Sequence, residues 1–492
     1  MNSDAYESGV TMGTAEAAAA VAGRLSGDDV AFHGVATDTR TLRPGTLFFA
    51  LRGARFDGHD FLGLALERGA VAAVVDRAVD SPLSRIEVDD TRLALGRLAA
   101  TWRSRFTVPL VAVTGSNGKT TVKEMIASIL SCDGDGLVTV GNLNNDIGVP
   151  LTLLRLSGAH RFAVIEMGAN HAGEIGYLTG IARPGVAVIT NAGPAHLEGF
   201  GDLEGVARAK GEIFQGLADS GTAVINADDA FARLWFDLAS THRTLTFGFG
   251  ASAAVHARDI RATDGGPQAF ILVTPHGEVA VNLPLAGRHN CLNALAASAA
   301  ATAVGATLAD IKSGLEHMNP VDGRLQMRAG IRGARIIDDT YNANPSSVSA
   351  ALRVLASYGS GTPKWFVLGD MAELGGDAAE LHASVGREAQ RLGIERVYAV
   401  GDLAVRAADA FGAGARHHAR HEDLIDELRS DIAAAGTAGA PVILVKGSRS
   451  MHMERVVVAL LENGDSGPRA SASSSGGVQR HHCYSRAIGE GG

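Results

Sequence analysis

Short apolar runs alternate with helical-period segments along most of the chain. Val108-Pro-Leu-Val-Ala-Val113, Arg161-Phe-Ala-Val-Ile165 and Val186-Ala-Val-Ile-Thr190 are brief and rich in β-branched side chains. That length and composition predict buried strands. After the first run, Val122, Met125, Ile126, Ile129 and Leu130 recur at the spacing of one helix face. Strands are also expected at 222–226 and 244–247, with a helix over 205–216 before them. Over 255–285 the pattern becomes a β-meander, with strands at 255–263, 270–274 and 278–283 and Gly-Gly and His-Gly turns. An Ala-rich helix over 292–304 follows.

The two ends of the chain repeat the alternation. Strands at 46–51 and 70–75 flank a helix over 61–68, and a helical linker covers 90–105. Strands at 334–337, 365–368, 396–400 and 442–445 alternate with helices at 345–358, 378–392, 424–435 and 451–462. Such alternation implies a parallel, doubly wound sheet. The fold class is therefore α/β in three domains. A small N-terminal α/β domain covers 1–85. A central P-loop ATPase-like α/β domain with a β-meander covers 86–322, and a C-terminal Rossmann-like doubly wound domain covers 323–463. The Ser/Gly-rich stretch 464–492 has few apolar residues and reads as a disordered tail.

Composition narrows the function classes. An apolar content of 46% over 492 residues is enough to bury several cores. No apolar run is long enough to span a bilayer, and MNSDAYESGV carries no export signal. The three cysteines, Cys132, Cys291 and Cys483, are odd in number and far apart, which fits reduced thiols in the cytoplasm. The net charge of −9 without a basic face argues against nucleic acid as a partner. His481-His482-Cys483 reads as an adventitious trio in the tail.

The strongest chemical signal is Thr114-Gly-Ser-Asn-Gly-Lys-Thr-Thr121, between a predicted strand and a helix start. Glycines let backbone N–H groups approach phosphate oxygens, and the helix N-terminus adds positive potential. Gly115, Ser116, Asn117, Gly118, Lys119, Thr120 and Thr121 thus form a candidate nucleotide loop. Lys119 would reach the terminal phosphates and the Thr120 hydroxyl would ligate Mg²⁺. The first glycine of a full Walker A pattern is absent, because Val113 stands there.

Other candidates rest on position. Glu166 ends a predicted strand, where an open α/β sheet places its ligands. It is either a Mg²⁺ ligand or a carboxylate capping the next turn. His196 follows the third strand aimed at the same crevice, which favours a site role over a surface one. Thr37-Asp38-Thr39-Arg40 is either a surface turn or a phosphate pocket built on Arg40. Lys210 reads as a solvated helix-face lysine, and the three asparagines of 141–150 as turn formers. Polar loops at 338–344, 369–373, 401–402 and 446–449 gather at one end of the C-terminal sheet.

These motifs resemble the Mur ligase family, the ATP-dependent amide ligases of peptidoglycan synthesis. The resemblance covers about residues 30–462. It rests on the loop above, Asn144-Asn-Asp-Ile-Gly-Val-Pro150, Asn191-Ala-Gly-Pro-Ala-His-Leu-Glu198, Gly287-Arg-His-Asn290, Asp338-Asp-Thr-Tyr-Asn-Ala-Asn-Pro345 and Leu368-Gly-Asp-Met-Ala-Glu-Leu374. It implies ATP and Mg²⁺ as cofactors, with UDP-N-acetylmuramoyl-tripeptide and D-Ala-D-Ala as the partners joined through an acyl phosphate. The chain is expected to act as a cytoplasmic monomer. By the same resemblance, Lys119, His196 and Lys210 carry the chemistry, Lys210 as a carbamate. Thr120, Glu166, His196 and Lys210 surround Mg²⁺. Asn290, Arg324 and Asp338 contact ATP. Asp38, Thr39 and Arg40 lie at the UDP end, and Asn145 and Thr152 lie toward the activated carboxylate. The alternatives are another Mur-type or folylpolyglutamate-type amide ligase, or a nucleotide-dependent switch ATPase.

Overall fold

A nine-stranded sheet lies at the centre of the protein in its computed structural model, which describes residues 9–194, 197–263 and 265–462. Its order is Gly277–Leu283, Gln268–Thr274, Val255–Ala262, Arg243–Gly248, Thr222–Asn226, Val186–Ile189, Leu110–Thr114, Phe162–Glu166 and Gly136–Val138. Pairing is parallel everywhere except within the meander. Leu110–Thr114 is an interior strand, and its two neighbours come later in the chain from opposite sides. Its C-terminal end is therefore a topological switch point, where such sheets bind ligands.

Both faces of the parallel part of this sheet are covered, which is why Leu110–Thr114, Phe162–Glu166 and Val186–Ile189 are buried throughout and lack alternation. Val111 and Val113 pack with Met125 and Ile126 of the helix Lys119–Leu130 and with Leu295 of the helix Arg288–Val304. Ala112, Ile165 and Ile189 face the opposite core. The helix Arg288–Val304 is buried almost along its length, so its alanines serve close packing rather than an amphipathic surface.

The N-terminal sheet has the order Arg24–Ser26, Ser84–Glu87, Ala72–Val75, Leu47–Phe49 and Val35–Ala36. The strands expected at 46–51 and 70–75 are its centre. Its last strand in sequence, Ser84–Glu87, runs past residue 85. The helix Thr91–Arg103 then leads to the central sheet, capped by Asp90, which accepts from Leu93 N at 2.9 Å.

The C-terminal sheet has the order Gln326–Ala329, Arg335–Asp339, Val442–Lys446, Lys364–Gly369, Arg396–Val400 and Ala415–His418. The four interior strands are the expected ones. The two edges are half-exposed and polar, and their pattern gave no strand signal. One of them, Gln326–Ala329, pairs antiparallel with Arg335–Asp339, whereas the other described strand pairs of this sheet are parallel. Asn344 caps the helix Pro345–Ala356, accepting from Ser347 N at 2.9 Å, and Pro345 sits in its first turn. Among the described residues, no helix is long and apolar enough to cross a membrane.

Candidate active site

The phosphate loop sits where the sequence puts it, between Leu110–Thr114 and Lys119–Leu130. Gly118 has φ +80°, and a Cβ there would lie 2.4 Å from Asn293 Oδ1. A Cβ on Gly115 would lie 1.9 Å from Thr190 Oγ1. Neither position accepts a side chain. The rest of the loop is held by the Val186–Ile189 strand end. Asn117 N donates to Asn191 Oδ1 (3.0 Å), Thr190 Oγ1 donates to Asn117 O (2.6 Å), and Ser116 Oγ donates to Gly193 O (3.0 Å). Lys119 Nζ folds back onto Gly115 O at 2.7 Å. Desolvation pushes its pKa below the usual lysine value, against the opposing pull of Glu166.

Glu166 pairs in register with Val113 on the neighbouring strand, which brings its carboxylate beside the helix start. Its Oε2 accepts from Thr120 Oγ1 at 2.9 Å and its Oε1 from Asn144 Nδ2 at 2.8 Å. The side chain is 1% exposed and has no ion pair within 4 Å among the described residues. A buried carboxylate whose hydrogen bonds come only from neutral donors, with the Lys119 charge acting on it from outside hydrogen-bond reach, keeps capacity for a cation. Together with the Thr120 hydroxyl it offers hard oxygen ligands, which suit Mg²⁺. The residues present therefore fit this ion. Asn144, which orients Glu166, was not separable by sequence from the turn-forming asparagines beside it.

Lys210 is not the solvated lysine that helix spacing suggests. It lies in the helix Leu203–Gly211 at 2% exposure, and its Nζ is 5.1 Å from the centre of the Phe200 ring. Burial first, and then the charge of Lys119, lower its pKa to about 7, against Glu212 and Glu174. Much of this amine is neutral near neutral pH. His196 lies outside the described residues.

The third domain completes the site. Arg324 Nη2 donates to Thr120 Oγ1 at 3.3 Å, and its guanidinium stacks 4.0 Å from the Tyr341 ring centre. Gly323 (φ +66°) and Leu325 (φ +50°) flank it, so the chain turns sharply at the domain junction. Between the two domains lies a cavity of about 390 Å³ whose lining includes Asn117, Thr121, Asn290, Asn293, Arg324 and Asp339. Asn290 and Arg324 line it. Asp338 does not: its carboxylate is turned to Thr340, accepting from Oγ1 at 2.6 Å. Successive strand residues face opposite ways, and it is Asp339 that lines the cavity. Asp339 Oδ2 accepts from Lys446 Nζ at 2.6 Å, with both side chains buried. Parallel register aligns these two strand ends, a pairing that sequence alone does not supply.

The remaining candidates lie apart from the loop. Arg40 is 84% exposed at its side chain and pairs with Asp38, its Nη2 2.6 Å from Oδ2. That partner lowers the Asp38 pKa. Thr39 is buried in the same short turn, and its carbonyl accepts from Arg68. Asn145 Oδ1 accepts from Gly148 N at 2.8 Å, and Thr152 Oγ1 is buried and donates to Gly148 O. Both shape the helix Gly148–Leu153 that follows Asn144.

Residues 31–103 match the model of the Mur ligase family, catalytic domain. Residues 113–301 match the Mur ligase middle domain, and 323–449 the Mur ligase, glutamate ligase domain. The chain is 48% identical to the UDP-N-acetylmuramoyl-tripeptide--D-alanyl-D-alanine ligase of Escherichia coli, over 90% of this chain and 96% of that one. It superposes on a MurF crystal structure from Acinetobacter baumannii with TM-score 0.87 and 37% identity, covering 92% of this chain and 98% of that one. A Thermotoga maritima MurF in complex with ADP gives TM-score 0.77 at 28% identity, covering 87% and 96%.

Proposed function

The chain belongs to the Mur ligase family of ATP-dependent ligases, and we propose that it joins D-Ala-D-Ala to UDP-N-acetylmuramoyl-tripeptide in peptidoglycan synthesis. The observation that carries this reading is the meeting of two domains on one hydroxyl. Thr120 of the phosphate loop donates to Glu166 and accepts from Arg324 of the third domain. A nucleotide in the adjoining cavity would be held with its phosphates toward the loop and Arg324.

The chemistry follows from the groups present. The γ-phosphoryl of ATP passes to the terminal carboxylate of the tripeptide, giving an acyl phosphate and ADP. The neutral amine of D-Ala-D-Ala attacks the acyl carbon, the amide bond forms as the amine gives up a proton, and phosphate leaves with the electron pair of the broken C–O bond. No protein nucleophile is needed; catalysis is positioning and charge stabilisation. The loop amides and Lys119 hold the phosphates. Arg324 supplies a second cation from the opposite side. Thr120 and Glu166, with His196 and a carbamylated Lys210, would hold Mg²⁺, which when bound neutralises phosphate charge. The neutral amine needed for carbamylation is favoured by the burial of Lys210. Asn290 lies toward the nucleotide base. The Asp38-Thr39-Arg40 turn belongs to the N-terminal domain and takes the UDP end, while the dipeptide approaches from the C-terminal domain.

The test is phosphate release from ATP with UDP-N-acetylmuramoyl-tripeptide and, in turn, D-Ala-D-Ala, D-Ala or glutamate. Release that needs both the tripeptide and D-Ala-D-Ala is the expected result. Release with glutamate alone would assign a different amide ligase, and release with no amine at all a switch ATPase.

A further inference from the structure

Lys123 takes no part in the chemistry above, yet it is buried in the phosphate-loop helix at 1% exposure. It lies three residues after Thr120, on the same helix face. Its Nζ donates to the Thr139 carbonyl at 2.7 Å and lies 2.7 Å from Glu124 Oε1. Glu124 is 40% exposed and partly hydrated, so it offsets little of the cost of burying an ammonium. Something else must keep a lysine where methionine would pack at lower cost.

Thr139 supplies the connection. It follows the edge strand Gly136–Val138 and is itself 1% exposed. Its carbonyl receives Lys123, and its hydroxyl accepts the backbone N–H of Glu166 at 3.0 Å. The Glu166 carboxylate then accepts from Thr120. These contacts close a ring: Lys123 to Thr139, Thr139 to Glu166, Glu166 to Thr120, and back along one helical turn to Lys123. The same loop beyond Thr139 carries Asn144, the second donor to Glu166.

We propose that Lys123 is a positioning residue, which clamps Thr139 to the phosphate-loop helix and so fixes the Glu166 carboxylate beside Thr120. It touches neither nucleotide nor metal. Its task is to hold a divalent-cation site in shape before the cation arrives. The proposal rests on the reading of Thr120 and Glu166 as cation ligands.

Mn²⁺ binding to the full chain with ADP, followed by electron paramagnetic resonance, tests it without turnover. Glu166→Gln should weaken Mn²⁺ strongly. Lys123→Met and Thr139→Val should each weaken it about tenfold, as outer partners of metal ligands commonly do. Thr139→Ser, which keeps both hydroxyl and carbonyl, should bind as the parent does. A purely structural lysine would lower the melting temperature of Lys123→Met and leave Mn²⁺ affinity unchanged. Unchanged affinity in Lys123→Met and Thr139→Val, with loss in Glu166→Gln, overturns the positioning role. If Lys123→Met does not fold, unchanged affinity in Thr139→Val alone overturns it. Unchanged affinity in Glu166→Gln overturns the cation reading beneath it.

Discussion

Asn117 in the phosphate loop donates through Nδ2 to Ser346 Oγ, 2.8 Å away at the start of the helix Pro345–Ala356. The same side chain accepts from Asn344 Nδ2 at 2.8 Å. One loop amide thus reads the N-cap of a helix in another domain. The contact exists only while the C-terminal domain is docked, so it couples the shape of the loop to closure. Ser346→Ala removes the acceptor and leaves the cap residue in place. A neutral hydrogen bond contributes about 0.5–1.5 kcal/mol, so KM for ATP should rise about two- to tenfold while the melting temperature stays near that of the parent. Equal ATP kinetics in the variant would assign closure to other contacts.

Lys119→Ala should abolish most turnover and preserve the fold. Lys119 Nζ rests on the carbonyls of Gly115 and Ser116, which keeps its charge within the phosphate loop. Loss of a cation facing the transferred group should cost on the order of 10²–10³ in rate. Steady-state assays with a circular dichroism control check this. Near-parent activity would remove the ATP site from the loop.

Lys210 titrates near pH 7 instead of near its ordinary 10.5. On the proposed carbamate role its neutral form would react with CO₂ to give a carbamate and a proton, so activity should depend on CO₂ and rise with pH through about 7. Lys210→Ala should lose most activity, and short carboxylic acids should restore part of it. Stability carries its own sign. The folded state binds fewer protons than the unfolded state between about pH 7 and the ordinary lysine value, so the metal-free protein should gain stability as pH rises through that window. Lys210→Met should lose that slope. An Ala variant that turns over normally would exclude the carbamate.

Arg40→Ala should raise KM for the nucleotide sugar several-fold and leave KM for ATP unchanged. Arg40 is exposed and, among the described residues, its side chain pairs with its neighbour Asp38, so its removal disturbs no core. Initial-rate kinetics with each substrate varied would separate the two constants. Equal effects on both would point away from a UDP-end role.

Much of this protein is local in origin. The strand–loop–helix around Gly115 and Gly118, the meander, and the four interior strands of the C-terminal sheet follow from apolar period and turn chemistry, which neighbouring residues determine. So does the grouping of polar loops at strand ends. What local pattern could not carry is which strand lies beside which, and which side chain of a pair faces the cleft. Register between Leu110–Thr114 and Phe162–Glu166 brings Glu166 to Thr120, and register between Arg335–Asp339 and Val442–Lys446 joins Asp339 to Lys446. The pleat turns Asp338 away and Asp339 inward. Lys210 reads as a solvated helix charge, and no local pattern singles out Lys123, because sequence spacing reports the angle around a helix and not what packs against it. Their burial, and with it the lowered pKa of Lys210, arises only when the helices Leu203–Gly211 and Lys119–Leu130 close onto the sheet.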